Sequence, residues 1–257
     1  MRILIASDVD GVLRYRKEPL APALADAMVS CSDSRDPSFM IHRCLITGAP
    51  LSHLPDIPVE FGFAESGGVM RHGSEETFTF DQGFDAVCRL KEFLGITVED
   101  GPDTIDGRTV IVEGVRRTSL TLLFGKPPHY KGVKTTATAV DVLTRIRGYI
   151  HRNNLRVHVY PAATKDYEWI DVATRNKERA IGLLMAQMRY DRIYYLGDGS
   201  NDLPVMRRPD VIPVGFSNSI AEIRDLAQER GIFIAKEGPL GGAEEFFCLF
   251  ADNRLLR

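Results

Sequence analysis

The segment Arg2-Ile3-Leu4-Ile5-Ala6-Ser7 is apolar at successive positions and stops abruptly at Asp8-Val9-Asp10-Gly11. A strand without polar alternation has no face to give to water, so it belongs in a parallel sheet covered on both sides. The pattern returns at Met40 to Ile46, ending at Thr47-Gly48, and at Arg192 to Leu196, ending at Gly197-Asp198-Gly199. It returns again at Val211 to Val214, ending at Gly215, and more weakly at Ile232 to Ala235. Helical stretches fall between, at Pro22 to Val29, Lys177 to Met188, Ile220 to Arg230 and Gly242 to Ala251. This alternation predicts a doubly wound, Rossmann-like α/β core with a parallel sheet. Ligands of such sheets bind beyond the carboxyl ends of the strands, where these Asp, Thr and Gly residues stand.

The middle of the chain has a different rhythm. Phe84 to Leu94 is amphipathic, with Phe84, Val87, Leu90 and Leu94 at helical spacing. Two strand patterns follow, Thr109 to Val112 and Thr118 to Phe124, joined by Glu113-Gly114-Val115-Arg116-Arg117. A second amphipathic helix, Ala137 to Ile150, precedes another pair of strands, Val157 to Tyr160 and Glu168 to Val172. The order αββαββ predicts a small α+β cap domain at 84–173, inserted into a catalytic core made of 1–83 and 174–257. The insert carries a net charge of +2 and the remainder −5.

Composition removes whole classes of function. The 257 residues carry a net charge of −3, which argues against a chain built to grip nucleic acid. No apolar run approaches the ~18 residues a membrane span needs, and the start does not read as a signal peptide. Cys31, Cys44, Cys88 and Cys248 show no C-x-x-C spacing, so free thiols in a reducing cytoplasm are expected rather than a zinc site or disulfide scaffold.

Four short stretches carry the chemistry. Asp8 and Asp10 stand two apart beyond a buried strand; two carboxylates held together disfavour joint ionisation unless a cation compensates. Asp198 and Asp202 bracket a Gly-Ser-Asn turn at another strand end, where Ser200 or Asn201 suits a helix cap. Hard oxygen ligands gathered this way suit Mg²⁺. Thr47-Gly48 offers a hydroxyl and a backbone N–H to a phosphate oxygen. Lys177 sits at a helix start, where the dipole disfavours a cation unless an anion lies nearby.

In chain order these read D-V-D-G-V, T-G, N-K and G-D-G-S-N-D, which resembles the phosphatases of the haloacid dehalogenase superfamily. The insert resembles that superfamily's subclass IIB cap, as in Cof-type, mannosyl-3-phosphoglycerate phosphatase and sucrose-phosphatase-like members. Ala64-Glu65-Ser66-Gly67 is similar to an E-N-G segment with Ser66 in place of Asn, and Val214 to Ser219 is similar to a loop ending in Asn before a helix. Gly238 to Glu245 resembles a G-P-E-G-W-x-E segment but lacks its Glu and Trp, and Ala49 stands where relatives often carry an Arg after T-G.

The resemblance implies a Mg²⁺-dependent phosphomonoesterase acting on a small phosphorylated metabolite, a sugar phosphate or phosphoglycerate-type acid. Asp8 is then the nucleophile and Asp10 the general acid/base. Asp8, the backbone carbonyl of Asp10, Asp198 and Asp202 hold the metal; Thr47, Gly48, Lys177 and Asn201 hold the phosphate. A phosphomutase is the alternative within the same chemistry, and a phospho-acceptor signalling receiver the alternative outside it. Arg116, Arg117, Lys126, His129 and His158 are candidate specificity residues, and Trp169 is expected in the core of the cap. The protein is expected to be a cytoplasmic monomer or homodimer with no membrane or nucleic-acid partner.

Overall fold

Strand β1 (Arg2–Ser7) sends alternate side chains to opposite faces of its sheet, and both faces are buried. The structure, a computed structural model, describes residues 1–15, 18–32, 38–57, 59–73, 75–78, 83–252 and 254–255. After β1 come α1 (Pro22–Ser32), β2 (Met40–Ile46), β3 (Phe61–Ala64), β4 (Val69–His72) and β5 (Glu75–Phe78). Next are α2 (Gly83–Leu94), β6 (Gly101–Ile105), β7 (Arg108–Val112), β8 (Ser119–Gly125), α3 (Ala139–Asn153), β9 (His158–Ala163) and β10 (Tyr167–Ala173). The chain continues through α4 (Lys177–Gln187), β11 (Arg192–Leu196), α5 (Leu203–Met206), β12 (Ile212–Phe216), α6 (Ala221–Arg230), β13 (Ile232–Ile234) and α7 (Ala243–Ala251). These elements form two compact units, Met1–Thr77 with Lys177–Arg257, and Phe78–Asn176.

The sheet of the first unit runs β13-β12-β11-β1-β2-β3-β4-β5. From β13 to β3 every pairing is parallel. On one face Ile3 and Ile5 join Leu24 and Met28 of α1 and Phe246, Phe247 and Phe250 of α7. On the other, Leu4 and Ala6 join Ala180, Ile181 and Leu184 of α4 and Ile223 of α6. This is the doubly wound α/β architecture that the unbroken apolar strands predict. At ~25 cal/mol per Å² of apolar surface removed from water, two such layers are the main term holding the unit together. The structure adds an edge: β4 returns antiparallel to β3, pairing Phe63 with Met70. Strands β3 to β5 are short and mix Gly, Arg and Glu with apolar residues, so their pattern is weak in sequence.

The second unit packs α2 and α3 against one face of a sheet ordered β6-β7-β8-β10-β9. Val87 and Leu90 of α2 and Val142 and Ile146 of α3 meet Val110, Val112, Leu122, Ile170 and Val172. Strand β6 corrects the expected αββαββ order. Its sequence Gly101-Pro102-Asp103 reads as a turn, yet at the sheet edge a Pro loses no ladder bond that an interior strand would need. Trp169 is a second correction. It neighbours buried Ile170 along β10 and therefore points to the face away from the helices, half-buried, with its ring 5.5 Å from Tyr167. Cys44 and Tyr194 are core residues. All four cysteines are free, and no helix among the described residues is long and apolar enough to cross a membrane.

Candidate functional site

Ser7, the last residue of β1, is in register with Leu45 of β2 and Leu196 of β11. The residues that follow these strands, Asp8, Thr47 and Asp198, therefore leave the sheet along one edge. The Asp8 N–H donates to Leu196 O at 2.9 Å, which carries the pairing one residue past the strand. The Val9 N–H donates to Asp8 Oδ1 at 2.7 Å and fixes the carboxylate. Gly11, at φ +89°, brings its backbone against Asp198: a Cβ there would lie 2.1 Å from Asp198 Oδ2. Only glycine meets both demands, the left-handed φ and the close approach.

Lys177, the first residue of α4, is fully buried. Its Nζ lies 2.6 Å from Asp8 Oδ2 and 2.8 Å from Asp202 Oδ1. The misfit of a cation at a helix start is thus answered by two carboxylates of the chain itself. Asp202, also fully buried, is the most heavily engaged of the acids. Its Oδ1 accepts from Lys177 and from the Tyr195 hydroxyl at 2.7 Å; its Oδ2 accepts from the N–H groups of Asp198 at 3.1 Å and Gly199 at 3.0 Å. Tyr195 was invisible to motif reasoning. The one available signal is a hydroxyl, borne by one of two adjacent tyrosines of β11, three residues before Asp198.

One oxygen from each of Asp8, Asp198 and Asp202 lies within 4.8 Å of the others. Burial raises the Asp8 carboxyl to about 7; the charge of Asp202 adds to the rise and Lys177 opposes it. Burial, with the neighbouring Asp8 and Asp202, also pushes Asp198 well above the ordinary carboxylate range. For Lys177 burial works against the charge, but Asp202 and Asp8 outweigh it and hold the ammonium above its ordinary value. Three carboxylates against one ammonium leave two negative charges uncompensated when all are ionised, a donor set that fits a hard divalent cation.

This balance gives a pH dependence. A folded-state value near 7 for Asp8, against 3.8 in the unfolded chain, means the folded state holds a proton that unfolding releases. That contribution is full below pH 3.8 and is lost as pH rises through about 7. Mg²⁺, by favouring the ionised form, is expected to raise the urea midpoint more at pH 8 than at pH 5. Unfolding curves with Mg²⁺ and with chelator check it; equal shifts at both pH values would contradict it.

Of the other residues singled out in the sequence, Thr47 and Gly48 follow β2, and Thr47 Oγ1 accepts from the Ala49 N–H at 3.0 Å. A Cβ on Gly48 would lie 3.9 Å from Asn201 Nδ2, so Asn201 is beside the Thr47–Gly48 turn. Asp10 is not in the carboxylate cluster: its Oδ1 accepts from Arg14 Nε at 3.0 Å, and Arg14 is mostly buried while also donating to the carbonyls of Glu18 and His53. The loop after β1 is tied down by Asn218, whose amide donates to Gly11 O at 2.7 Å and accepts from the Gly238 N–H at 2.9 Å. These are the 214–219 and 238–245 segments noted in the sequence.

The turn after β3 is strained. Glu65, at φ 50°, and Ser66, at φ 58°, are both buried and both left-handed, each costing about 1–3 kcal/mol. Their N–H groups donate to Ala49 O and Thr47 O, both at 2.9 Å, which locks the turn onto the end of β2.

In the second unit the specificity candidates separate. Ala173 is in register with both Ser119 and His158, so His158 and the hairpin bearing Arg116 and Arg117 lie at the end where β10 finishes. Lys126 and His129 follow Gly125, which pairs with Tyr167 at the opposite end. Arg116 is not a surface group: it is buried beside buried Glu113, 3.5 Å away, and donates to the Glu113 carbonyl at 2.9 Å. Arg117, Lys126, His129 and His158 are exposed.

No protein-family model and no curated protein matches the sequence. Solved structures do match the fold. A haloacid dehalogenase-like hydrolase from Bacteroides thetaiotaomicron is 13% identical, with a TM-score of 0.63 over 96% of this chain and 98% of that one. A subclass IIB sugar phosphatase of the same superfamily is 11% identical, with a TM-score of 0.63 over 96% and 98%. A sucrose-phosphatase from Synechocystis sp. PCC6803, solved with sucrose and phosphate, is 13% identical, with a TM-score of 0.61 over 96% and 99%. The chain thus has the fold of the haloacid dehalogenase-superfamily phosphatases, the group its four motifs resemble.

Proposed function

We propose that this protein is a Mg²⁺-dependent phosphomonoester hydrolase acting on a small phosphorylated metabolite of the sugar phosphate or phosphoglycerate type. The observation that carries the reading is the buried cluster of Asp8, Lys177, Asp198 and Asp202, placed where β1 and β11 end beside the Thr47–Gly48 turn. The sugar phosphate class is favoured by the sugar phosphatase and sucrose-phosphatase that share the fold.

In this mechanism an Asp8 oxygen attacks phosphorus and the ester oxygen departs, so the P–O bond to the alcohol is exchanged for an aspartyl-phosphate. Asp10 gives the leaving oxygen its proton and then takes one from the water that hydrolyses the acyl phosphate, releasing orthophosphate and restoring Asp8. Asp10 must leave or share its Arg14 contact to do so. Lys177, anchored by Asp202, neutralises oxygen charge at the transferring group, and Thr47, Gly48 and Asn201 supply hydrogen bonds to it. Asp8, Asp198 and the Asp10 carbonyl hold the cation. Asp202, whose oxygens already accept four hydrogen bonds, contributes through Lys177 and the 197–199 backbone or through water. Bound there, Mg²⁺ offsets repulsion between carboxylate and phosphate and spreads the developing charge.

The test is release of orthophosphate from a panel of phosphorylated sugars and acids, with and without Mg²⁺. Mg²⁺-dependent release from at least one member is expected. Isomerised ester without orthophosphate would make the protein a mutase, and one-time labelling without turnover would make it a phospho-acceptor.

A further inference from the structure

Ser66 is buried, with 5% of its surface exposed, and its hydroxyl has no hydrogen-bond partner among the described residues. Its oxygen is not sealed from solvent, so a molecule arriving from outside can reach it. Its backbone is left-handed at φ 58°, between left-handed Glu65 and Gly67, a run that L side chains rarely adopt. The Ser66 N–H is held by Thr47 O, and its Oγ faces the space above Gly48, 3.6 Å from where a Cβ would be. Asn201 Nδ2 lies 3.9 Å from the same Cβ position, and it too lacks a partner among the described residues. Two uncommitted polar groups from separate loops thus converge on a glycine beside Thr47.

We propose that Ser66 Oγ is a substrate-binding donor, giving its proton in a hydrogen bond to a phosphoryl oxygen seated at Thr47–Gly48. The strained turn is what presents it: a relaxed serine at this position would send its side chain elsewhere. The assignment rests on the phosphomonoesterase reading and adds a residue to that site. A serine hydroxyl offers one O–H, and a hydrogen bond to a charged oxygen is among the stronger kinds.

The experiment measures the inhibition constant of orthophosphate, with Mg²⁺ and an aryl phosphate substrate, on the full-length protein and on Ser66→Ala and Ser66→Gly. Both variants lose the hydroxyl, and both are expected to bind orthophosphate about tenfold more weakly. Ser66→Gly is the decisive member, since glycine takes a left-handed backbone freely, so its melting midpoint should match or exceed the parent's. A turn with a purely structural role would leave orthophosphate affinity unchanged in Ser66→Gly, and that result overturns the proposal. A parent protein that neither hydrolyses the ester nor binds orthophosphate overturns the phosphomonoesterase reading, and this one with it.

Discussion

Asp8→Asn is expected to lower hydrolysis of an aryl phosphate by at least about 1,000-fold while leaving the fold intact. The amide has no anionic oxygen to form the acyl phosphate, so the loss belongs to kcat and is not rescued by more substrate. The fold should survive for reasons visible in the site. Asn keeps an oxygen for the Val9 N–H, and Lys177 keeps Asp202 as its ion-pair partner. One of three crowded carboxylates also disappears, which relieves the repulsion that raises Asp198. Urea unfolding of the variant should fall close to the parent. A variant that retained more than a few per cent of the parental rate would rule Asp8 out as nucleophile.

Lys177→Met should be damaging in a different way. Methionine fills a similar volume, but Asp8 and Asp202 lose the one ammonium between them. Breaking a buried ion pair from one side costs about 3–5 kcal/mol, because the remaining charge is buried without compensation. The Lys177 pKa is raised in the folded state, so its stabilising contribution is full below the unfolded lysine value and declines only as pH rises through the folded one. At neutral pH the whole contribution is therefore lost in the variant. Acidification protonates the stranded carboxylates and should restore part of the stability. The expected result is a urea midpoint well below the parent at pH 7.5, a smaller deficit at pH 5, and no turnover at either. An unchanged midpoint would mean the ion pair is not a structural element of the site.

These two variants separate what the sequence announces from what it hides. Asp8, Thr47 and Asp198 were legible because unbroken apolar runs mark where buried strands stop, and a parallel sheet brings those ends to one edge. The surroundings of Asp202 are only half legible in the sequence. Its spacing from Asp198 marks it as part of the turn, but the hydroxyl of Tyr195 and the two N–H groups that occupy its oxygens belong to tertiary structure. Asp10 shows the same limit, because its Arg14 partner is recognised only once the loop after β1 is folded. Strands β3 to β5 escape a sequence reading because they are short and mix Gly, Arg and Glu with apolar residues, and at β6 Pro102 argues against a strand unless its place at the sheet edge is known. Trp169 was misplaced because period two assigns a face only after the buried partner, Ile170, is identified.

The order of the sheet also bears on how the chain is made. Strand β1 is the second residue onward, yet its partner β11 begins at Arg192. At ~5–20 residues per second of synthesis, β1 waits on the order of 10–40 s for that neighbour, its apolar edge protected only by β2. The Phe78–Asn176 unit, by contrast, is uninterrupted in sequence and has all its strands in hand before α4 emerges. Splicing a self-sufficient unit into the core therefore prolongs the exposure of the very strand that delivers Asp8, a burden that falls on chaperones or on rapid pairing of β1 with β2.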